Sequence, residues 1–414
     1  ALDRLAEIVS GMKTIGDTRG VVFLPTLFDL VEENDVWTDA DRDRLSRFMY
    51  EFATKCPYAD SEVEPSPVPH GNNWNIRTSW AAARYFEKYY GMDVKGLVGK
   101  CDRYFQSMMT WKSREDCPGY GSMTVIDTLH YVLKKPNLHY FESGLARQMA
   151  EYEMTVTNNM GAATGFGDIS SHGSSVHFPG AMAVLAWYYR DGRYVWMLEK
   201  MANANPGGEF LGQAFAMSDI EPVEPTDLLG VHVLPLESWI YDNRDDVLAT
   251  GVVTTDEILR AGEDPPHEQC FDKVSFRDSF DENRQYLLLG GQSHGYHSHP
   301  DGNAIIAFTD EGKLWIFDNG YFVPDTVEQN TIAVYRDGQF EPVPRLTALD
   351  AQADLPGVGM TQTSVRAYNG TNWQRNIIWA KERWFVVLDE LAAREAGDFG
   401  AQCIFRTIGE REMQ

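Results

Sequence analysis

Gln285-Tyr286-Leu287-Leu288-Leu289 and Ala304-Ile305-Ile306-Ala307-Phe308 are two short apolar runs flanking the segment Gly290-Gly291-Gln292-Ser293-His294-Gly295-Tyr296-His297-Ser298-His299-Pro300-Asp301. Five-residue apolar runs bounded by glycine, proline and aspartate are too short for helices and suit β-strands. The same texture returns at 314–317, 332–335, 376–380 and 384–388, with Asp310-Glu311-Gly312 and Asp337-Gly338 as turns. Short strands at this spacing predict a sandwich or barrel from about residue 270 onward. Upstream the period is helical. Leu45, Phe48, Met49 and Phe52 repeat at i, i+3, i+4 and i+7 behind the N-cap candidate Thr38. Val94, Leu97, Val98, Cys101, Tyr104, Phe105 and Met108 form a second stripe, and Phe141, Leu145, Met149 and Tyr152 a third. Further helices are expected near 76–90, 123–134, 180–189 and 193–203. Antiparallel helix pairs joined by Gly/Pro/Asn-rich loops make an all-α bundle or toroid.

The expected organisation is therefore multidomain, α then β. Residues 1–245 are helical, the acidic and proline-bearing stretch 246–267 is a linker, and 268–414 is all-β. A length of 414 residues agrees, because it exceeds the usual size of one hydrophobic core. Apolar residues at 43% and charged residues at 23% describe a globular chain and exclude a largely disordered one. A net charge of −25 argues against a nucleic-acid partner, which needs a basic face for phosphates. The acidic balance reads as a solubilising surface and says nothing about the charge of a local cleft. No apolar run is long enough to span a membrane, and no signal peptide is visible. Cys56, Cys101, Cys117, Cys270 and Cys403 are scattered, odd in number and without a C-x-x-C pair, so they read as mostly buried thiols.

The segment between the two opening strands carries the chemistry. Three histidines and an aspartate fall within eight residues, at His294, His297, His299 and Asp301. In extended chain a His-x-His pair places both rings on one face, which suits a metal ligand beside a proton-transfer group. Imidazole serves either purpose, since its neutral form ligates metals and its pKa lies near neutrality.

With those residues in view, the sequence resembles the heparinase II/III family of polysaccharide lyases. The β-domain of that family carries a Gly-Gly…His-x-His-x-Asp run, then a strand ending in Asp-x-Gly, then a motif ending in Asn-Thr. Here these are His297-Ser298-His299-Pro300-Asp301, Leu314-Trp315-Ile316-Phe317-Asp318-Asn319-Gly320 and Gln329-Asn330-Thr331. The resemblance implies an N-terminal (α/α) toroid followed by a C-terminal antiparallel β-sandwich. It implies that His297 is a catalytic histidine, and that His299 and Asp318 are ligands of a structural divalent metal, most often zinc. The third ligand position, a histidine in the family, is Gln329, and an amide oxygen is a poorer zinc ligand than imidazole.

In the helical half, Glu115-Asp116-Cys117-Pro118-Gly119-Tyr120 resembles the family's acidic–Gly–Tyr loop, whose tyrosine is the catalytic acid or base. Gly71-Asn72-Asn73-Trp74 resembles an Asn-Asn-His stretch whose asparagine contacts the substrate carboxylate, with Trp74 where many members have histidine. Asn73, Tyr120 and His297 are thus the expected catalytic groups. Asn72, Trp74 and Arg77 are expected to bind substrate. His70, or His172 and His177 in the Gly-rich loop, could supply the imidazole missing at Trp74.

The family reaction is β-elimination of a uronic-acid-containing polysaccharide. It requires neutralisation of the uronate carboxylate, a base at C5 and an acid at the leaving oxygen. Tyrosine can serve as acid or base when a neighbouring positive group lowers its pKa. The implied partner is an acidic polysaccharide or oligosaccharide, and the implied location is periplasmic or secreted. Two other readings stay open: a metal-dependent hydrolase using the histidine cluster, and a non-catalytic carbohydrate-binding protein of the same fold.

Overall fold

The computed structural model of the protein describes residues 24–55, 72–112, 115–135, 137–168, 177–204, 219–242, 263–293, 297–318 and 325–407. They divide into two compact units. The first comprises Ala1–Thr110 and Asp127–Tyr140, and the second Trp111–Ile126 and Phe141–Gln414.

The first unit is helical. It holds α1 (Leu24–Val31), α2 (Asp39–Lys55), α3 (Asn72–Tyr90), α4 (Lys95–Ser107) and the second half of α5 (Pro118–Lys134). Thr38 caps α2 as its sequence suggests. Its Oγ1 accepts the Asp41 N–H at 3.2 Å, and Asp41 Oδ2 accepts the Thr38 N–H at 3.2 Å. The stripe behind that cap buries Leu45, Met49 and Phe52. A second knot joins α3, α4 and α5. Phe105 stacks on Tyr131 at 4.5 Å, and Asp102 accepts hydrogen bonds from Trp80 Nε1 and the Tyr131 hydroxyl. Each polar tip of these buried aromatics thereby has a partner.

The second unit combines α6 (His139–Glu142, in part), α7 (Leu145–Val156), α8 (His177–Tyr189), α9 (Gly192–Ala204), α10 (Ser238–Asp242) and three antiparallel sheets. A five-stranded sheet runs β1-β2-β3-β4-β5: Gly230–Pro235, Phe271–Arg277, Tyr286–Gly290, Ile305–Asp310 and Lys313–Phe317. A four-stranded sheet runs β11-β10-β9-β8: Trp384–Ala393, Thr371–Ala380, Val358–Tyr368 and Ala348–Leu355. β12 (Phe399–Cys403), β6 (Ile332–Arg336) and β7 (Gln339–Phe340) form the third.

Phe271, Val274, Phe276, Leu287, Leu289 and Ile305 from the first sheet pack against Ile377 and Trp379 from the second. That shared layer makes the pair a sandwich. The fold is thus helices in the N-terminal half and antiparallel sheets in the C-terminal half.

The six runs expected as strands lie in β3, β4, β5, β6, β10 and β11. Six further strands among the described residues, β1, β2, β7, β8, β9 and β12, were not anticipated. β8 reads Ala-Leu-Asp-Ala-Gln-Ala-Asp-Leu and is mostly exposed, so neither propensity nor burial announces it. β1 lies upstream of the expected linker yet pairs antiparallel with β2, with one irregularity at Leu234/Pro235. Most of that linker, 246–262, lies outside the described residues. Strand β2 is buried along its whole length, because Arg277 and Tyr286 of this sheet bond to backbone carbonyls of Thr155 and Thr157 at the end of α7. No disulfide joins Cys101, Cys117, Cys270 and Cys403, and Cys56 lies outside the described residues. No described helix is long and apolar enough to cross a membrane.

Candidate active site

Helix α5 begins at Pro118, a residue suited to the first helical position, directly after Glu115-Asp116-Cys117. Tyr120 therefore sits in its first turn. Glu115 and Asp116 are both buried, at 1% and 2% exposure. A buried carboxylate needs a cation, and Asp116 has two. Lys112 Nζ lies 2.9 Å and Lys273 Nζ 3.0 Å from its Oδ1. The same ammonium groups bond to Asp272 Oδ1 at 2.6 and 2.9 Å. Two lysines and two aspartates thus neutralise one another where none could be buried alone. Burial by itself would raise the Asp116 carboxyl, but Lys112 and Lys273 outweigh it and hold the pKa at about 2.

This buried quartet fixes the chain on either side of the candidate catalytic pair. His297 Nδ1 stands 2.6 Å from Glu115 Oε2, and its ring centroid lies 4.4 Å from that of Tyr120. Burial lowers the His297 pKa, and the Asp168 carboxylate opposes that shift.

The backbone at His297 is unusual, with φ at 53° in the left-handed region. This corrects the expectation of an extended His-x-His pair. His297 and His299 do not share a strand face, and each ring has its own carboxylate. His299 is fully buried, with Nε2 at 3.2 Å from Asp168 Oδ1. The Asp168 N–H donates to the His297 carbonyl at 2.8 Å, so one residue touches both histidines. Gly167 lets it come so close. A Cβ there would lie 2.4 Å from the His297 carbonyl oxygen and 2.6 Å from that of Asp116, at a φ of +62°.

The implied zinc site can be tested against these contacts. Gln329 Nε2 lies 3.3 Å from His299 Nδ1. With an amide N–H donating to Nδ1 and Nε2–H donating to Asp168, both ring nitrogens of His299 have protein partners. Among the described residues no three His, Cys, Asp or Glu side chains converge as a metal site. With Asp168 and Gln329 in these places, His299 as it stands offers no free ring nitrogen to the zinc that the resemblance implies. Asp301 and Asp318 are buried nearby, at 3% and 5% exposure. Burial, with the Asp318 and Asp116 carboxylates, pushes the Asp301 carboxyl well above its usual range.

The remaining expected site residues are placed as follows. Asn72, Asn73 and Trp74 form the first turn of α3 in the first unit, and their side chains lie outside the described residues. His70 and His172 also lie outside them, as does the side chain of His177, the first residue of α8. Arg77 is 7% exposed and pairs with buried Asp127 within the first unit, so its guanidinium is not offered to a ligand. Sequence reasoning missed Asp168, Gly167, Lys112 and Lys273 altogether. Only the Gly-Asp step at the edge of a Gly-rich loop hinted at the first two.

No protein-family model matches this sequence, and no curated protein is similar to it by sequence. Solved structures are similar in fold. A heparinase III crystal structure matches with a TM-score of 0.62 at 11% identity, over 96% of this chain and 60% of that one. Another heparinase III matches with a TM-score of 0.60 at 12% identity, over 93% and 55%. A heparan sulfate lyase mutant from Pedobacter heparinus matches with a TM-score of 0.56 at 13% identity, over 91% and 53%. The chain thus spans little more than half the length of these structures. It has the fold of heparinase III and of the heparan sulfate lyase, a helical toroid followed by an antiparallel β-sandwich.

Proposed function

We propose that this protein is a polysaccharide lyase that cleaves a uronic-acid-containing polymer by β-elimination. The observation carrying the reading is the packing of Tyr120 on His297, with rings 4.4 Å apart and His297 bonded to a buried carboxylate. Two proton-transfer groups in contact are what an elimination needs, since one proton leaves C5 while another reaches the oxygen on C4. Tyr120 is the acid in this reading and His297 the partner group.

Asn73 is proposed, from the sequence resemblance alone, as the amide that faces the substrate carboxylate and stabilises the enolate-like intermediate. The fold supports the reading too, because one of the similar structures is named a heparan sulfate lyase and others heparinase III. No step is assigned to a metal.

The test is a panel of uronate polysaccharides, including glycosaminoglycans and alginate, scanned for the ultraviolet absorbance of an unsaturated uronate. At least one polymer should yield that product, and Tyr120→Phe should reduce its formation by at least about a hundredfold. A Tyr120→Phe protein that kept most of the activity would overturn the assignment.

A further inference from the structure

Within that lyase reading, we propose that Glu115 is the positioning residue that makes His297 the base at C5. A carboxylate can only accept, so the hydrogen in the 2.6 Å contact sits on His297 Nδ1. The neutral ring then carries its proton-accepting lone pair on Nε2. Glu115 is suited to fix this tautomer. Its side chain is fully buried and His297 is 17% exposed, so the carboxylate lies behind the ring while the imidazole reaches solvent. Asp116, the next residue, is tied to Lys112 and Lys273, which holds the Glu115 backbone in place.

The step balances on this chain's own groups. The C5 proton passes to His297 Nε2, and the C5–H electron pair becomes the C4=C5 double bond. The C4–O bond breaks, and the leaving oxygen takes its electrons together with the Tyr120 hydroxyl proton. His297 is then protonated and Tyr120 is a phenolate. Proton transfer between these adjacent groups restores both.

The experiment has two arms. On a polysaccharide that yields product, Glu115→Gln should lower kcat by at least about tenfold while KM stays within about twofold. Adding Glu115→Gln to His297→Ala should cost nothing further, because Glu115 acts only through His297. Equal losses in the two backgrounds, or an unchanged kcat in Glu115→Gln, would overturn the proposal.

The second arm needs no activity. Nitrogen-15 NMR of the imidazole should show Nδ1 protonated and Nε2 bare in the neutral wild-type ring, and a tautomer mixture in Glu115→Ala. Absence of unsaturated product with the tautomer confirmed would count against the lyase reading alone. A ring protonated on Nε2 would count against Glu115.

Discussion

His297 Nδ1 lies 2.6 Å from Glu115 Oε2, although 182 residues separate the two in the chain. One partner precedes helix α5 and the other stands in a loop between two strands of the five-stranded sheet. The contact is held from both sides. Lys112 and Lys273 anchor the residue beside Glu115, and Gly167-Asp168 packs against the carbonyl of His297. Rigid support of this kind is what a proton-transfer pair requires, since a small misplacement removes a large part of the rate.

Gly167 gives the sharpest mutational expectation. Gly167→Ala places a methyl group against the His297 and Asp116 carbonyl oxygens and imposes a left-handed backbone on a residue with a Cβ. Stability should fall by about 2 kcal/mol or more. Product formation should fall further than stability, because the His297 backbone must move. Chemical denaturation and the ultraviolet assay, run on the same preparation, check both. Full activity with an unchanged unfolding midpoint would show that the His297 backbone does not depend on the close approach of Gly167.

The Asp116 carboxyl sets an acid limit. Its pKa is about 2 in the folded protein against an ordinary value of 3.8. The folded state therefore binds fewer protons than the unfolded chain between those values, and it loses stability as pH falls through that window. The contribution is on the order of 2 kcal/mol, present in full above about pH 4. Asp116→Asn should be less stable at neutral pH, with a flatter decline between about pH 4 and pH 2. Urea unfolding as a function of pH measures both slopes, and parallel curves for the two proteins would contradict the assignment.

Chelation should leave the protein intact. His299 has Asp168 and Gln329 on its two ring nitrogens, so its place in the fold is held without a metal bond. Prolonged treatment with EDTA should shift the thermal midpoint by no more than about 1 °C. A fall of several degrees, or stoichiometric zinc by elemental analysis, would show that a metal is bound beside His299 and supports the fold there.

Much of the architecture was legible because it rests on period. The apolar stripe Leu45, Met49 and Phe52 becomes the buried face of α2, and Thr38 caps it. Strands with continuous apolar runs were equally clear, as in Tyr286–Gly290, which is wholly buried. Strands such as Ala348–Leu355 were not, since an exposed edge places no apolar demand on its residues. The arrangement of the candidate site was legible only in part. Tyr120 and His297 stood in recognisable motifs, whereas Asp168 had no motif around it.

The sequence by itself determined the order of helices and strands and singled out the loop holding His297, His299 and Asp301. Local pattern governs both, through hydrophobic period and the rarity of clustered imidazoles. Tertiary structure alone decided that His297 is left-handed, that Glu115 lies against its ring, and that Gln329 and Asp168 flank His299. Those outcomes depend on which distant residues share a buried space. There a polar atom must find a partner, and the partner is chosen by the packing of α5, the Gly167 loop and the sandwich rather than by neighbours in the chain.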